Sequence, residues 1–298
     1  MPSAPHTQTS DRIYWYKRTF PTSNESFDIC HLKINKAKYH TRVFVNEQFA
    51  GENPYSFTPT ELDITSFLKP SGETNEILIA VGCRNNLPAN VSDGNDFEKD
   101  YYFPGIYDDV KLIFTAAPYI QNVQCAPELK DEKLHIRAEF LPGSEEEEFR
   151  ASYSVYELKG RKKVSSGKVT VKGYTAEFDI DMAGCSLWSP EDPFLYTLEM
   201  ETPGDNYSTR FGMRSFGFDP EKKIALLNGN PYILRGTNVC IYRFFDDPSR
   251  TDQPWRSDWT IRLHEQFKTM HWNTIRYCIG FPPERWYEVA DSVGSVSY

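Results

Sequence analysis

Leu134-His-Ile-Arg-Ala-Glu-Phe140 decides how most of this chain folds. Leu134, Ile136, Ala138 and Phe140 alternate with His135, Arg137 and Glu139. Side chains of a strand point to opposite faces in turn, so this segment reads as a half-buried strand. The same rule extends outward. Ala151, Tyr153 and Val155, then Ala176, Phe178 and Ile180, then Phe194, Tyr196, Leu198 and Met200 repeat the alternation. Towards the N-terminus, Cys30, Leu32 and Ile34 share one face, and so do Val110, Leu112 and Phe114. Arg42-Val-Phe-Val45 and Glu76-Ile-Leu-Ile-Ala-Val81 read as more fully buried strands. Many short strands with almost no helical periodicity predict β-sandwiches, with a boundary at Pro118.

After Phe218 the pattern changes. Leu226-Leu-Asn-Gly229 places Asn-Gly between apolar runs, a strong hairpin signal. Tyr232–Thr237 reads as a strand. Ser257 can cap a helix whose Trp259, Leu263, Phe267 and Met270 recur at spacings of three and four. Asn273–Tyr277 reads as a second strand, and Pro283 starts a second helix with Trp286, Val289, Ala290 and Val293 inward. Strand–helix–strand–helix is the opening of an α/β barrel.

Composition excludes several classes. Aromatic residues make up 15% of the chain, which opposes disorder. A net charge of −9 argues against nucleic-acid and anionic-membrane partners, because phosphates require clustered Lys and Arg. No run approaches a transmembrane span. Met1–Arg12 lacks the apolar segment of a signal peptide, and exported and cytoplasmic locations both stay open. The six cysteines are scattered without Cys-x-x-Cys, so they read as buried or free thiols and no metal or cofactor is expected. The acidic run Glu145–Glu148 follows Pro142-Gly143 and reads as a solvated loop.

Several segments, in order, resemble glycoside hydrolase family 2, the β-galactosidase, β-glucuronidase and β-mannosidase group. Val43-Phe-Val-Asn-Glu47, Phe57–Thr65 and Pro104–Val110 are similar to its sugar-binding jelly-roll domain. Leu187–Tyr196 and Phe211–Phe216 are similar to its immunoglobulin-like domain. Leu227-Asn-Gly-Asn-Pro, Leu234-Arg-Gly-Thr-Asn238 and Asn273-Thr-Ile-Arg276 resemble the entry into its catalytic barrel. The resemblance implies a mostly β chain: a jelly-roll sandwich over 1–118, an immunoglobulin-like sandwich over 119–218, and the truncated start of a (β/α)₈ barrel over 219–298.

It also implies retaining hydrolysis of β-glycosides, with one glutamic acid protonating the leaving oxygen and a second carboxylate attacking the anomeric carbon. Both glutamates belong on later barrel strands, the first in an Asn-Glu pair. The pairs Asn24-Glu25, Asn46-Glu47 and Asn75-Glu76 all precede Phe218, and none follows it. A barrel needs about 250 residues, so two of its eight units fit and the chain by itself is expected not to catalyse.

Two residues match the family's substrate-binding positions and a third, Asp100, resembles one at a spacing one residue shorter than the family's. Arg276 ends the second barrel strand and matches an arginine that can hydrogen-bond the nucleophile; a structural salt bridge is the alternative. Asn238 ends the first strand and can bond sugar hydroxyls or serve in a turn. Asp100 resembles an aspartate reaching the active site, and is otherwise a loop acid. Asp246 and Asp247 read as turn residues before Pro248. His264 and His271 read as surface or packing residues, and Glu284, Glu288 and Asp291 as solvated charges. The family's Arg-His-Glu is replaced here by Val239-Cys-Ile241, its Ser-His-Tyr-Pro by Tyr277-Cys-Ile-Gly-Phe-Pro282, and its Arg after Gly-Ile-Tyr by Asp108. The expected partner is a carbohydrate β-glycoside, with a homo-oligomer compatible. The competing readings are a non-catalytic carbohydrate-binding or adhesion protein and a ligand-free immunoglobulin-like scaffold.

Overall fold

The structure, a computed structural model, describes residues 12–92, 104–141, 148–245, 247–278 and 280–297. Its contacts define two units. The first holds the strands up to Phe114 together with Asn238–Thr260 and Arg276–Tyr287. The second holds Thr115–Thr237, Ile261–Ile275 and Glu288–Tyr298.

In the first unit the chain forms β1 (Tyr14–Pro21), β2 (Ile29–Ile34), β3 (Ala37–Lys38), β4 (Thr41–Val45), β5 (Gln48–Asn53), β6 (Thr60–Asp63), β7 (Thr74–Val81), β8 (Gly105–Ile106) and β9 (Val110–Thr115). They assemble as sheets β1-β7-β4-β5 and β6-β2-β9, with a β3-β8 pair. Cys30, Leu32 and Ile34 of β2 pack with Val43 and Val45 of β4 and Ile77, Ile79 and Val81 of β7. Burying these apolar faces drives the layering. β4 departs from its expected full burial: Arg42 is exposed and Phe44 half-buried. Its outer face is apolar yet solvent-facing, because the Arg42 guanidinium lies over the rings of Phe44 and Phe49 at 5.6 and 5.3 Å. An outward phenylalanine hid the alternation.

The second unit contains β10 (Tyr119–Glu128), β11 (Lys133–Leu141), β12 (Glu148–Glu157), β13 (Lys163–Lys172), β14 (Thr175–Asp181), β15 (Tyr196–Glu201) and β16 (Asn206–Phe211), ordered β10-β11-β14-β13-β12-β15-β16. β13 and β14 share one pair, Lys172 with Thr175 at their hairpin, so the ladder divides there into two layers. Leu134, Ile136, Ala138 and Phe140 of β11 are buried between them with Ala151, Val155, Tyr196, Leu198 and Met200.

Next come β17 (Phe216–Asp219), β18 (Ile224–Leu227) and β19 (Asn230–Tyr232). Asn228 (φ 51°) and Gly229 (φ 76°) link β18 to β19, a two-residue turn with both central φ positive. The last elements are β20 (Gly236–Cys240), α1 (Ile241–Phe245), α2 (Ser257–Thr269), β21 (Thr274–Cys278), α3 (Glu284–Val293) and β22 (Val296–Ser297). Their sheet runs β20-β21-β22, with β21 and β22 parallel. Among the described residues no helix is long and apolar enough to cross a membrane.

Two segments differ from expectation. The strand expected at Tyr232–Thr237 stops at Tyr232, and β20 begins at Gly236, placing Asn238 inside the strand. The Asn273 side chain intervenes, accepting the Arg235 N–H at 2.9 Å and donating to the Ile233 carbonyl at 3.0 Å. α2 buries Thr260, His264 and Phe267, whereas Met270 is exposed. A threonine fits there because its hydroxyl donates to the Arg256 carbonyl at 3.0 Å. At the far edge of this sheet β22 pairs with β21, Thr274 opposite Val296.

Candidate active site

β20 and β21 bring together two of the expected residues. Arg276 Nη1 donates to Asn238 Oδ1 at 3.4 Å, and both residues are exposed. Two residues further along each strand, the sulfurs of Cys240 and Cys278 lie 3.2 Å apart. Both pairs have the same sequence separation, 38 residues, which a parallel register requires. A period of two puts Asn238 and Cys240 on one face of β20, and Arg276 and Cys278 on the matching face of β21. The strands can approach because residue 236 is glycine: a Cβ there would sit 1.7 Å from the Thr274 carbonyl oxygen. The glycine of Leu234-Arg-Gly-Thr-Asn238 is therefore a steric requirement.

Beyond the strand ends the first unit supplies aromatic rings. A Cβ on Gly280 would meet Phe57 Cζ at 3.3 Å and Ile241 Cγ2 at 3.7 Å. Phe57 packs against Tyr107 and Phe281, centroids 5.6 and 6.3 Å away. The Lys38 ammonium lies 4.9 Å from the Tyr39 ring centre and 5.2 Å from that of Phe57. Phe57 itself sits at φ 61°, which costs a non-glycine residue about 1–3 kcal/mol and persists only where its surroundings impose it.

A second network anchors the start of α3. Buried Asp108 accepts from Lys36 Nζ and from the Glu284 N–H, each at 2.9 Å. Asp109 pairs with Arg285 at 3.1 Å. Trp255 Nε1 donates to the Tyr107 carbonyl at 3.2 Å, and Trp286 Nε1 to the Pro254 carbonyl at 2.8 Å. Burial, with the charge of Glu284 adding, pushes the Tyr287 hydroxyl up to about 12. Among the described residues no three His, Cys, Asp or Glu side chains converge as a metal site.

The family models for glycosyl hydrolases family 2 match this sequence, the sugar binding domain over residues 2–116 and a second domain over residues 118–214. The chain belongs to glycosyl hydrolase family 2. Within family 2 it is similar to the β-galactosidase large subunit of Lactobacillus helveticus, 26% identical over 89% of this chain and 41% of that protein. It is also similar to the β-galactosidase of Staphylococcus xylosus, 24% identical over 94% of this chain and 26% of that protein. The chain thus spans well under half the length of these relatives. A crystal structure of a family 2 member from Bacteroides cellulosilyticus superposes with a TM-score of 0.76 over 96% of this chain and 39% of that one, at 18% identity. Mostly β architecture with the family 2 sugar-binding and immunoglobulin-like domains follows.

Set on this family 2 frame, the other expected residues behave differently. Asp100 and Asp246 lie outside the described residues, as does most of the acidic run, Glu145–Glu147. Asp247 accepts the Ser249 N–H at 2.9 Å and pairs with Arg250, a turn arrangement. Glu284, Glu288 and Asp291 carry ion pairs with Lys36, Arg210 and Arg214 at 3.6, 3.6 and 3.0 Å while their side chains stay 65%, 56% and 37% exposed. His264 is fully buried and His271 is exposed. Sequence reasoning missed Lys38, Phe57 and Phe281, whose grouping depends on distant segments. It noted Asp108 as a departure without its role at α3.

Proposed function

We propose that this chain is the N-terminal portion of a retaining exo-β-glycosidase of the β-galactosidase-like kind, acting on O-glycosidic bonds of carbohydrates. The observation that carries the reading is the Arg276–Asn238 pair on neighbouring strands of a strand–helix–strand–helix segment. Catalytic groups of (β/α)₈ barrels gather at the C-terminal ends of strands. The domain division proposed is 1–118, 119–218 and 219–298, the last being the opening of the catalytic barrel. In this reading Arg276 presents its guanidinium to the nucleophile carboxylate, and Asn238 orients that guanidinium while its amide nitrogen reaches a sugar hydroxyl. Asp100 is assigned to the same sugar. The two catalytic glutamates belong to later barrel strands, because no Asn-Glu pair follows Phe218 here.

The test is hydrolysis of p-nitrophenyl β-galactoside, β-glucuronide and β-mannoside by this chain and by the chain extended through the remaining barrel of its reading frame. Activity confined to the extended form supports the assignment, and the substrate cleaved names the sugar. Turnover by this chain alone, or by neither form, overturns it, and the second outcome favours a carbohydrate-binding role.

A further inference from the structure

We infer that Cys240 and Cys278 form a reversible dithiol–disulfide couple, a covalent modification site that clips the ends of β20 and β21 together. The two sulfurs are 3.2 Å apart, each on the last residue of adjacent parallel strands. A disulfide has an S–S length of about 2.05 Å, so closure needs roughly 1.1 Å of approach. Adjacent strands are about 4.8 Å apart, within the Cα separation that a disulfide spans. The equal 38-residue offset of the Asn238–Arg276 and Cys240–Cys278 pairs shows that the cysteines are in register, so no strand slip is needed. Both are only half-buried, whereas Cys30 and Cys83 are buried.

The oxidant is a small-molecule disulfide. A thiolate of the pair attacks one sulfur of the oxidant, forming a mixed disulfide and expelling one thiolate. The second cysteine's thiolate then attacks the protein sulfur of that mixed disulfide, forming the Cys240–Cys278 bond and expelling the other thiolate. Two electrons pass from the cysteine pair to the small molecule, and the two protons end on the two thiols released. The bond closes just beyond Asn238 and Arg276, so oxidation fixes the strand spacing that sets their contact. The inference rests on the sulfur geometry and is independent of the proposed activity.

The experiment uses the folded chain in buffers of oxidised and reduced glutathione at increasing ratios. Samples are quenched in acid, alkylated after unfolding and mapped by mass spectrometry. The expected result is a Cys240–Cys278 cross-linked peptide, a fall in alkylatable thiols from six to four, and full reversal by excess reduced glutathione. Cys240→Ser should instead carry a persistent glutathione adduct on Cys278. Glutathione adducts on the wild-type pair without a cross-link, a cross-link between other cysteines, or six thiols under fully oxidising conditions would each overturn it. The wild-type chain alone decides the question, so a variant that misfolds leaves the test intact.

Discussion

Replacing Asp108 by alanine should loosen the start of α3. One carboxylate oxygen accepts both the Lys36 ammonium and the Glu284 N–H at 2.9 Å, and the other accepts the Asp109 N–H at 2.8 Å. The Asp108 side chain is 1% exposed and that of Lys36 11%. Breaking a buried ion pair from one side costs about 3–5 kcal/mol, because the surviving charge is left in a poor solvent. Losing a helix cap costs about 1 kcal/mol more. Glu284 still approaches Lys36 at 3.6 Å, but its side chain is 65% exposed, and such a pair returns less than about 1 kcal/mol. The net expectation is about 4 kcal/mol, near three powers of ten in a local opening equilibrium. Hydrogen exchange by mass spectrometry on peptides covering Glu284–Val293 reads this directly. Asp108→Asn keeps one oxygen to accept the Glu284 N–H but loses the charge and the second acceptor, so its exchange should fall between wild type and alanine. Exchange within threefold of wild type in the alanine variant would refute the reasoning, and asparagine matching alanine would remove its capping component.

Other predictions follow from the same packing. Gly236→Ala drives a methyl into the Thr274 carbonyl and should cost several kcal/mol, more than the usual gain of about 0.4–1 kcal/mol from Gly→Ala at an unstrained site; the urea midpoint reports it. Trp188 is fully buried, donates to the Asp291 carbonyl at 2.8 Å and lies under the Arg214 guanidinium, so Trp188→Ala should cost about 3–5 kcal/mol and Trp188→Phe distinctly less in thermal melts. Burial pushes the Cys30 and Cys125 thiols up to about 12 from 9.0, and the Tyr232 hydroxyl up to about 12 from 10.0. The folded state holds these protons more tightly, so their stabilisation is complete below pH 9 and is lost as pH rises through 12; stability that is flat from pH 8 to 11.5 contradicts this. Arg276→Ala removes an exposed side chain whose hydrogen bond to Asn238 is a long 3.4 Å, so the melting temperature should hold while turnover by the extended enzyme falls at least tenfold.

Legibility followed the range of the determining interaction. The alternation of Leu134–Phe140 and the Asn228-Gly229 turn are set by backbone stereochemistry and neighbouring side chains, and both folded as read. β4 misled because outward Phe44 is covered by Arg42 rather than by core. The boundary at Gly236 shifted because Asn273, remote in sequence, captures the backbone at residues 233 and 235.

The candidate site divides the same way. Strand, helix and strand around Asn238 and Arg276 were visible as patterns of apolar spacing, and their residue types indicated the family. Their 3.4 Å meeting, and the sulfur pair beyond it, required the 38-residue register between β20 and β21, which no local pattern carries. Asp108 reaches Glu284 across 176 residues. By itself the sequence determined where the chain turns, which faces are apolar and what chemistry its side chains hold, since these depend on near neighbours. Only the tertiary structure decided which of those side chains meet, because strand register and helix docking are settled by burial and hydrogen bonding summed over distant segments.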